Sequence, residues 1–308
     1  MSGELKIAMV GSINMDLTVS TPRVPKRGEN LLAHGLQIGL GGKGANPTVA
    51  LCRMGVQAVL VGCVGDDDFG RQAVAQLRAE GVDVSGIRIL PDVPTCVAVI
   101  MVDDEGENTI LVVLGANGAL SPEMVRAALA PHWDSLRVLL VSFEIPEACV
   151  AETVRLGRAH DVPVIVDAGP PRRYGAEIWG KATVLSPNRL EASHLVGYPV
   201  DSEARVQQAA DDLLAAGPEV VILKLGARGA WLRTRDRAEL VPGFKVDVVD
   251  TTGAGDAFMA GLARAFAAGR DWPSAVRFAN AAGALAVTRL GTMKAMPTLG
   301  EIERLLSE

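Results

Sequence analysis

The sequence has few cysteines and no long apolar run, and each absence excludes a class of protein. Its four cysteines are widely spaced and form no CxxC pair. Neither a zinc site nor a disulfide framework is therefore predicted, and we expect buried free thiols. The longest uncharged stretch, residues 108–122, has 15 residues and falls short of the ~20 apolar residues that span a bilayer. No membrane-spanning helix is expected.

The sequence also lacks a basic surface. Thirty Lys and Arg stand against 36 Asp and Glu, giving a formal charge of −6, and no block of like charge is longer than the three aspartates Asp66 to Asp68. Nucleic acid and membrane surfaces are therefore not expected partners. The N-terminus reaches an acidic residue at position 4 and has no basic segment followed by a long apolar stretch. This pattern predicts no secretory signal and a cytoplasmic protein. The four histidines share no partner pattern that would indicate a triad or a metal site.

Short apolar runs alternate regularly with helical patterns along the chain. The 308 residues of the chain fit one large α/β domain covering 1–308. Helices are predicted to begin near Asn46 and Phe69, and strands are predicted at 7–10, 58–64, 138–141, 164–166 and 220–223. This rhythm predicts a three-layer α/β/α fold with a mostly parallel central sheet. The runs at 138–141 and 220–223 are apolar at consecutive positions, which indicates strands buried on both faces.

Two stretches, residues 17–38 and 95–113, break this rhythm. Each contains apolar segments separated by turn residues, which predicts an antiparallel ribbon rather than a βαβ unit. We expect the two ribbons to meet as a small β-sheet over one edge of the main domain, forming a lid from segments of about 12–40 and 93–114.

Residues 250–256, DTTGAGD, are the strongest single motif and lie between a predicted strand at 246–250 and a predicted helix. Gly253 and Gly255 let a ligand approach the backbone, and the free amides at the helix start bind anions. Asp256 at the mouth of such a pocket could take a proton from an attacking hydroxyl. The alternative is that Asp256 only caps the helix, and the spacing alone leaves both open.

A second glycine-rich segment, residues 39–46, also opens a predicted helix. Gly39, Gly41 and Gly44 spell GxGxxG, so a dinucleotide site is an alternative, although the segment follows a ribbon and not the first strand of a βαβ unit. No Walker motif is present. Lys43 and Asn46 are candidate ligand-binding groups, or alternatively a solvated loop and a helix cap with Pro47 at the first helical position.

Five polar residues follow predicted strands, where open α/β sheets bind ligands; they are Asn14, Asp16, Glu144, Asp167 and Asn188. Asn188 and Glu191 lie three residues apart at a predicted helix start and could orient a hydrated Mg²⁺, or form a cap with an exposed Glu. The glycines of residues 224–229 could admit a nucleotide or form a hairpin turn.

Ten segments in a fixed order make the chain similar to one known family over nearly its whole length. They are GSINMD (11–16), GGKGAN (41–46), GDD (65–67), GEN (106–108), GAN (115–117), FEIP (143–146), SPNRLEA (186–192), KLGARG (224–229), DTTGAGD (250–256) and AVTRLG (286–291). On these segments the chain resembles the ribokinase-like family of carbohydrate kinases.

The resemblance implies ATP-dependent phosphorylation of a sugar hydroxymethyl group, which is the 5-hydroxyl when the sugar is ribose. Asp256 would be the general base, and the amides of Gly253, Ala254 and Gly255 would form the anion hole. The sugar would be held by Asn14, Asp16, Gly42, Lys43, Gly44, Asn46, Glu144 and Asp256. The ATP site would consist of Asn188, Lys224, Gly226, Ala227, Arg228, Gly229, Gly255 and Asn280, with Asn188 and Glu191 ordering the water shell of Mg²⁺. A homodimer formed through the lid is also implied.

The family's monovalent-cation site maps to Asp250, Thr252, Ala286, Arg289 and Gly291, which implies activation by K⁺. Ala295 departs from the family pattern, because a serine hydroxyl commonly helps there. Pro47 stands where glutamine is usual, but proline suits a first helical turn. Three alternatives remain: a kinase for fructose, a nucleoside or another furanose; a dinucleotide-dependent oxidoreductase; and a sugar-binding module without catalysis.

Overall fold

The computed structural model describes residues 5–308, so the acidic residue at position 4 lies outside the described residues. Thirteen strands occur within this range: β1 Lys6–Val10, β2 Asn14–Ser20, β3 Gly35–Gly41, β4 Gln57–Gly65, β5 Ile87–Leu90, β6 Cys96–Val102, β7 Asn108–Val113, β8 Val138–Ser142, β9 Val164–Asp167, β10 Val184–Ser186, β11 Val220–Lys224, β12 Gly229–Thr234 and β13 Ala238–Pro242. Ten α-helices accompany them: α1 Ala45–Arg53, α2 Asp68–Ala79, α3 Pro122–Leu129, α4 Glu147–Ala159, α5 Ala176–Trp179, α6 Arg189–Val196, α7 Glu203–Ala215, α8 Ala254–Ala267, α9 Trp272–Ala286 and α10 Leu299–Ser307.

Nine strands form the central sheet in the order β13-β12-β11-β10-β9-β8-β1-β4-β5. All pairs are parallel except β11 with β12 and β12 with β13, so the predicted mostly parallel sheet is confirmed. Alternate residues of β1 enter different cores: Ile7 packs in one apolar cluster and Ala8 in the other. Burying an aliphatic side chain in such a core stabilises the fold by roughly 1.5–3 kcal/mol.

Burial explains why the strand prediction succeeded in the middle of the sheet. Every residue of β8 is buried, as are the first four residues of β11. Helices cover both faces of these strands, so a run without alternation remains in an apolar environment. The chain therefore places the carboxyl ends of β8, β9, β10 and β11 side by side at one edge.

The small sheet has the order β3-β2-β6-β7. Strands β2 and β3 pair antiparallel, as do β6 and β7, so both ribbon predictions are confirmed. The two ribbons join through the parallel pair of β2 with β6. At the β6–β7 turn, Asp103 Oδ1 accepts the amides of Glu105 and Glu107, which fixes the turn.

Two local predictions are wrong. Residues 246–250 form no strand, because β13 ends at Pro242 and the following segment runs without a sheet partner, leaving Val248 and Val249 each 61% exposed. Asn46 does not cap α1, which begins at Ala45 after Gly44. Pro47 is therefore the third helical residue; its missing N–H would have no acceptor within the first turn, so the helix is intact.

The cysteines are free, as predicted; Cys63, Cys96 and Cys149 are buried and Cys52 is half-buried. None of the helices in residues 5–308 is long and apolar enough to cross a bilayer.

Candidate active site

The backbone amides at the turn before α8 point away from the helix end and are largely free of hydrogen bonds within the described part of the chain. Gly253 is the residue before the first helical position and has φ of 81°, a left-handed conformation that glycine adopts without steric cost. Among the described residues, the Ala254 amide makes one long hydrogen bond of 3.4 Å to Thr251 O, and the amides of Gly253 and Gly255 make none. The positive end of the α8 dipole adds to these free donors, so the turn can bind an anion.

Asp256 lies on the first turn of α8 and is 6% exposed. Its Oδ2 accepts the side-chain amide of Asn46 at 2.9 Å, while its buried Oδ1 has no hydrogen-bond donor and lies 3.6 Å from Lys43 Nζ. The carboxylate therefore does not cap the helix. Burial raises the pKa of Asp256, and the Lys43 ammonium and the Asn46 hydrogen bond oppose that rise only in part. Such a carboxylate is suited to accept a proton.

A polar cluster from β2, the loop after β8 and the glycine-rich segment lies next to Asp256. Glu144 Oε2 accepts the Lys43 amide at 3.1 Å, the Asn14 side chain at 3.4 Å and the Ser12 hydroxyl. Gly42, with φ of 106°, shapes the backbone that brings the Lys43 amide to Glu144. These donors and acceptors match the vicinal hydroxyls of a sugar.

Asp16, on β2, is the third carboxylate of this region. Burial, followed by repulsion from Glu144 and Asp256, raises the pKa of Asp16 to about 7. A Cβ atom at Gly41 would stand 2.0 Å from Asp16 Oδ2, so only glycine leaves room for this carboxylate. Three carboxyl groups close together favour a ligand that supplies hydroxyl donors over one that carries negative charge here.

On the other side of Lys43 is a cavity of about 670 Å³. It is lined by most of the predicted ATP-site residues, namely Asn188, Lys224, Gly226, Ala227, Gly229, Gly255 and Asn280, together with Glu191. Asn14, Asp16 and Glu144 do not line it. The molecule therefore has two adjoining regions, a nucleotide-sized cavity and a polar region suited to a sugar. Lys43 and the start of α8 lie between them.

Arg228 does not line the cavity. Its guanidinium pairs with Glu203 on the surface, 3.2 Å away, because the 3₁₀ turn at Gly226–Arg228 directs the side chain outward. The two interpretations of residues 224–229 are compatible, since the segment joins β11 to β12 as a hairpin and also lines the cavity.

Asn188 caps α6 and forms a capping box with Glu191: its Oδ1 accepts the Glu191 amide at 2.9 Å. The cap interpretation is right about Asn188, but Glu191 is 4% exposed rather than solvated. Within residues 5–308, no group of three or more His, Cys, Asp or Glu side chains is arranged to hold a metal. Asn188 and Glu191 both line the nucleotide-sized cavity, where a hydrated Mg²⁺ carried by nucleotide phosphates would need few protein ligands.

The predicted cation loop is assembled around Asp250. Its Oδ1 accepts the Thr252 amide and its Oδ2 accepts the Gly291 amide, each at 2.9 Å. Burial acts to raise the pKa of Asp250, but these hydrogen bonds outweigh burial and hold the pKa below its usual value. Ala295 is fully buried and offers no hydroxyl, and the Arg289 side chain pairs with Glu301.

Several residues that support these regions were not predicted from the sequence. Asn117 is buried. Its side chain accepts a hydrogen bond from the Ile13 amide and donates one to Asn14 Oδ1 at 2.8 Å, so it orients Asn14, a predicted sugar-binding residue. The cavity wall at Phe244, Lys245 and Val246 was also missed, because that loop was assigned no ligand role. Only the GAN segment at 115–117 gave a sequence signal for Asn117.

Comparisons with known proteins agree with this geometry. A family model for pfkB family carbohydrate kinases matches residues 4–299. A ribokinase of Bacillus subtilis is 38% identical over 301 residues, covering 98% of this chain and 99% of the relative. A deoxyribokinase of Salmonella typhi is 33% identical over 304 residues, covering 98% and 99%.

A solved structure of Arabidopsis thaliana ribokinase, complexed with ribose and ATP, is also similar. It superimposes with a TM-score of 0.90 at 31% identity, covering 99% of this chain and 100% of that one. In this chain, residues 39–41 of the GxGxxG pattern lie in β3 of the small sheet and not after the first strand of a βαβ unit, so the dinucleotide alternative is wrong. The chain belongs to the pfkB family of carbohydrate kinases.

Proposed function

We propose that the chain transfers the γ-phosphoryl group of ATP to the 5-hydroxyl of D-ribose, giving ribose 5-phosphate and ADP. The observation that carries the proposal is the position of Asp256. Its carboxylate lies beside the free amides at the start of α8, between the nucleotide-sized cavity and the polar region suited to a sugar. Relatives that act on ribose, and one solved with ribose and ATP, support this choice of substrates.

In this reaction Asn14, Asp16 and Glu144 orient the sugar, and Asp256 takes the proton from its hydroxyl as the oxygen attacks. The amides of Gly253, Ala254 and Gly255 hold the oxygens of the moving phosphoryl group, whose transition state is loose and spreads its charge. Bound Mg²⁺ would neutralise phosphate charge, with Asn188 and Glu191 holding its water shell.

A panel of acceptors in an ADP-release assay tests the substrate. We expect ribose to have the highest kcat/KM among ribose, 2-deoxyribose, fructose and adenosine. The loss of one hydroxyl leaves a buried acceptor unpaired, which should cost ~10-fold or more in kcat/KM. A higher value for any of the other three would replace ribose as the substrate, and no ADP release with any would end the kinase proposal.

We propose that K⁺ binds the Asp250 loop, through Asp250 and the backbone oxygens of Thr252, Ala286, Arg289 and Gly291. Two amides already hold the Asp250 carboxylate in place, and K⁺ binding would fix the loop next to the anion hole. We expect a higher kcat in KCl than in a bulky organic chloride of equal ionic strength. Equal rates in the two salts would remove the K⁺ site, and Ala295 would then explain its loss.

We propose that the small sheet acts as a lid on a single domain and that two copies dimerise through it. Its outer strand β7 is an edge strand whose apolar residues are 47–61% exposed, including Leu111 at 61%. Apolar edge strands favour pairing with a second chain. Light scattering should give a dimer mass, which Leu111→Lys should reduce; a monomeric wild type would reject the proposal.

We also propose a cytoplasmic location, where ATP is supplied. Three buried free thiols and one half-buried thiol fit a reducing compartment. Recovery of the protein outside the cytoplasmic fraction of its own cells would contradict this.

A further inference from the structure

Asp167, the last residue of β9, joins the two sides of the candidate site. It is 2% exposed. Its Oδ1 accepts Lys224 Nζ at 2.7 Å and its Oδ2 accepts Lys43 Nζ at 3.4 Å. Burial alone would raise its pKa, but the two lysines hold the pKa of Asp167 below its usual value. The carboxylate is therefore ionised and shared between two cations.

Each lysine also lies close to the general base or to the amide turn at the start of α8. Lys43 Nζ lies 3.6 Å from Asp256 Oδ1, and Lys224 Nζ lies 3.9 Å from the position that a Cβ atom at Gly255 would occupy. Both lysines line the nucleotide-sized cavity, whereas Asp167 does not. The carboxylate lies behind two ammonium groups that face the cavity.

The segment after Asp167 is shaped around this arrangement. A Cβ atom at Gly169 would stand 2.9 Å from Lys43 Nζ and 2.8 Å from Glu191 Oε1, so the absence of a side chain leaves room for both. Glu191 in turn lies 3.8 Å from Lys224 Nζ. Four charged side chains thus form a continuous chain from the sugar side to the nucleotide side.

We propose that Asp167 is a positioning residue that holds Lys43 and Lys224 against the amide turn, where both ammonium groups meet the transferring phosphoryl group. This inference rests on the proposed kinase function. In the step, a bond forms between the sugar oxygen and Pγ, the bond from Pγ to the β,γ-bridging oxygen breaks, and the hydroxyl proton passes to Asp256. Negative charge accumulates on the ADP leaving group, where a fixed ammonium group lowers the barrier.

A purely structural pairing explains this cluster less well. Burying charged groups costs free energy that their attraction often fails to recover, so buried clusters of this kind add little to stability. A more exposed cluster lies elsewhere: Glu152, 8% exposed, accepts hydrogen bonds from Arg126 and Arg155 on helices α3 and α4, whose side chains are 43% and 58% exposed. That cluster lines no part of the cavity and provides a matched control.

Asp167→Asn tests the proposal, with Glu152→Gln as its control. We expect kcat to fall by ~10- to 100-fold, because the two ammonium groups lose their fixed positions. ATP should bind with an unchanged or lower Kd by calorimetry, because a negative charge near its phosphates is removed. Glu152→Gln should leave kcat unchanged. Normal turnover in Asp167→Asn, or ATP binding weakened as much as turnover, would overturn the proposal.

The pH dependence of kcat provides a second readout. The groups facing Asp256 are Lys43 and Asn46 from the glycine-rich segment, Asp167 from β9, Glu144 after β8 and Asp16 from β2. Because the charge of Asp167 raises the pKa of Asp256, Asp167→Asn should move the acid limb of the kcat profile to lower pH. An unmoved limb would show that the Asp167 charge does not act on the general base, and would contradict the proposal.

A double-mutant cycle with Lys224→Met separates indirect from direct action, and Lys224→Met alone remains informative if Asp167→Asn fails to fold. Lys224→Met should lower kcat by at least ~10-fold, and adding Asp167→Asn should cost less than it does in the wild type. Additive losses, or normal kcat in Lys224→Met, would overturn the proposal. Turnover of ribose by the wild type is measured first, so failure of the kinase function is distinguished from failure of this inference.

Discussion

Asp256→Asn is expected to lower kcat by at least ~10²-fold, the scale for losing a general base. The amide of asparagine has nearly the same shape as the carboxylate, and its oxygen can still accept the 2.9 Å hydrogen bond from Asn46. The substitution therefore removes the proton acceptor and the charge while keeping the packing of α8. ATP and ribose should still bind within a few-fold of their wild-type affinities.

ADP release and calorimetry check this expectation on the same preparation. Asp271→Asn is the matched control: Asp271 caps α9 by accepting the Ser274 amide at 2.9 Å, and asparagine is an equally good cap. Its kcat should be that of the wild type. In the wild type, kcat should fall below the raised pKa of Asp256, because the protonated carboxyl cannot act as a base. Turnover of Asp256→Asn near the wild-type rate would disprove the base assignment.

Gly255→Val is expected to lower kcat by ~10²-fold or more while the protein remains folded, on the scale of a lost anion-hole donor. Gly255 is the second residue of α8, and a Cβ atom there meets only Lys224 Nζ, at 3.9 Å. The valine side chain would therefore point into the space over the free amides without displacing the protein. Phosphate oxygens could then no longer reach those amides.

Thermal unfolding and ADP release separate the two effects. Gly300 is also the second residue of its helix, α10, and has no atom within 4 Å of its Cβ position, so Gly300→Val is a matched control. Both variants should unfold within a few degrees of the wild type, since replacing a helical glycine is neutral or mildly stabilising. Only Gly255→Val should lose activity. Full activity in Gly255→Val would show that the phosphoryl group lies elsewhere.

The fold could be predicted where burial produces a simple pattern of apolar residues in the sequence. The apolar runs of β8 and β11 need no partner information, because a strand covered on both faces is apolar at every position. The ribbons of the small sheet were predictable from the turn residues between their strands. Residues 246–250 show the limit of this reasoning, because β-branched residues also line an exposed loop when no neighbouring strand is available to pair.

Site residues could be predicted where the backbone itself carries the chemistry. The glycines of residues 250–256 require a particular turn, and the helix start after them supplies the free amides. Contacts between side chains that lie far apart in the sequence were not predictable by the same means. Asp167 lies 57 positions from Lys224 and 124 from Lys43, so no local pattern reports their pairing. The position of the Arg228 side chain was equally unpredictable, since its neighbours Ala227 and Gly229 line the cavity while its guanidinium pairs with Glu203 on the surface.

A crystal structure with ribose, ADP and tetrafluoroaluminate tests the central claim most directly, because that anion mimics the transferring phosphoryl group. Our account predicts fluorine atoms within hydrogen-bonding distance of the amides of Gly253, Ala254 and Gly255, with the Asp256 carboxylate contacting the 5-hydroxyl of ribose. An anion bound away from the start of α8, or an Asp256 carboxylate out of reach of the sugar hydroxyl, would contradict it.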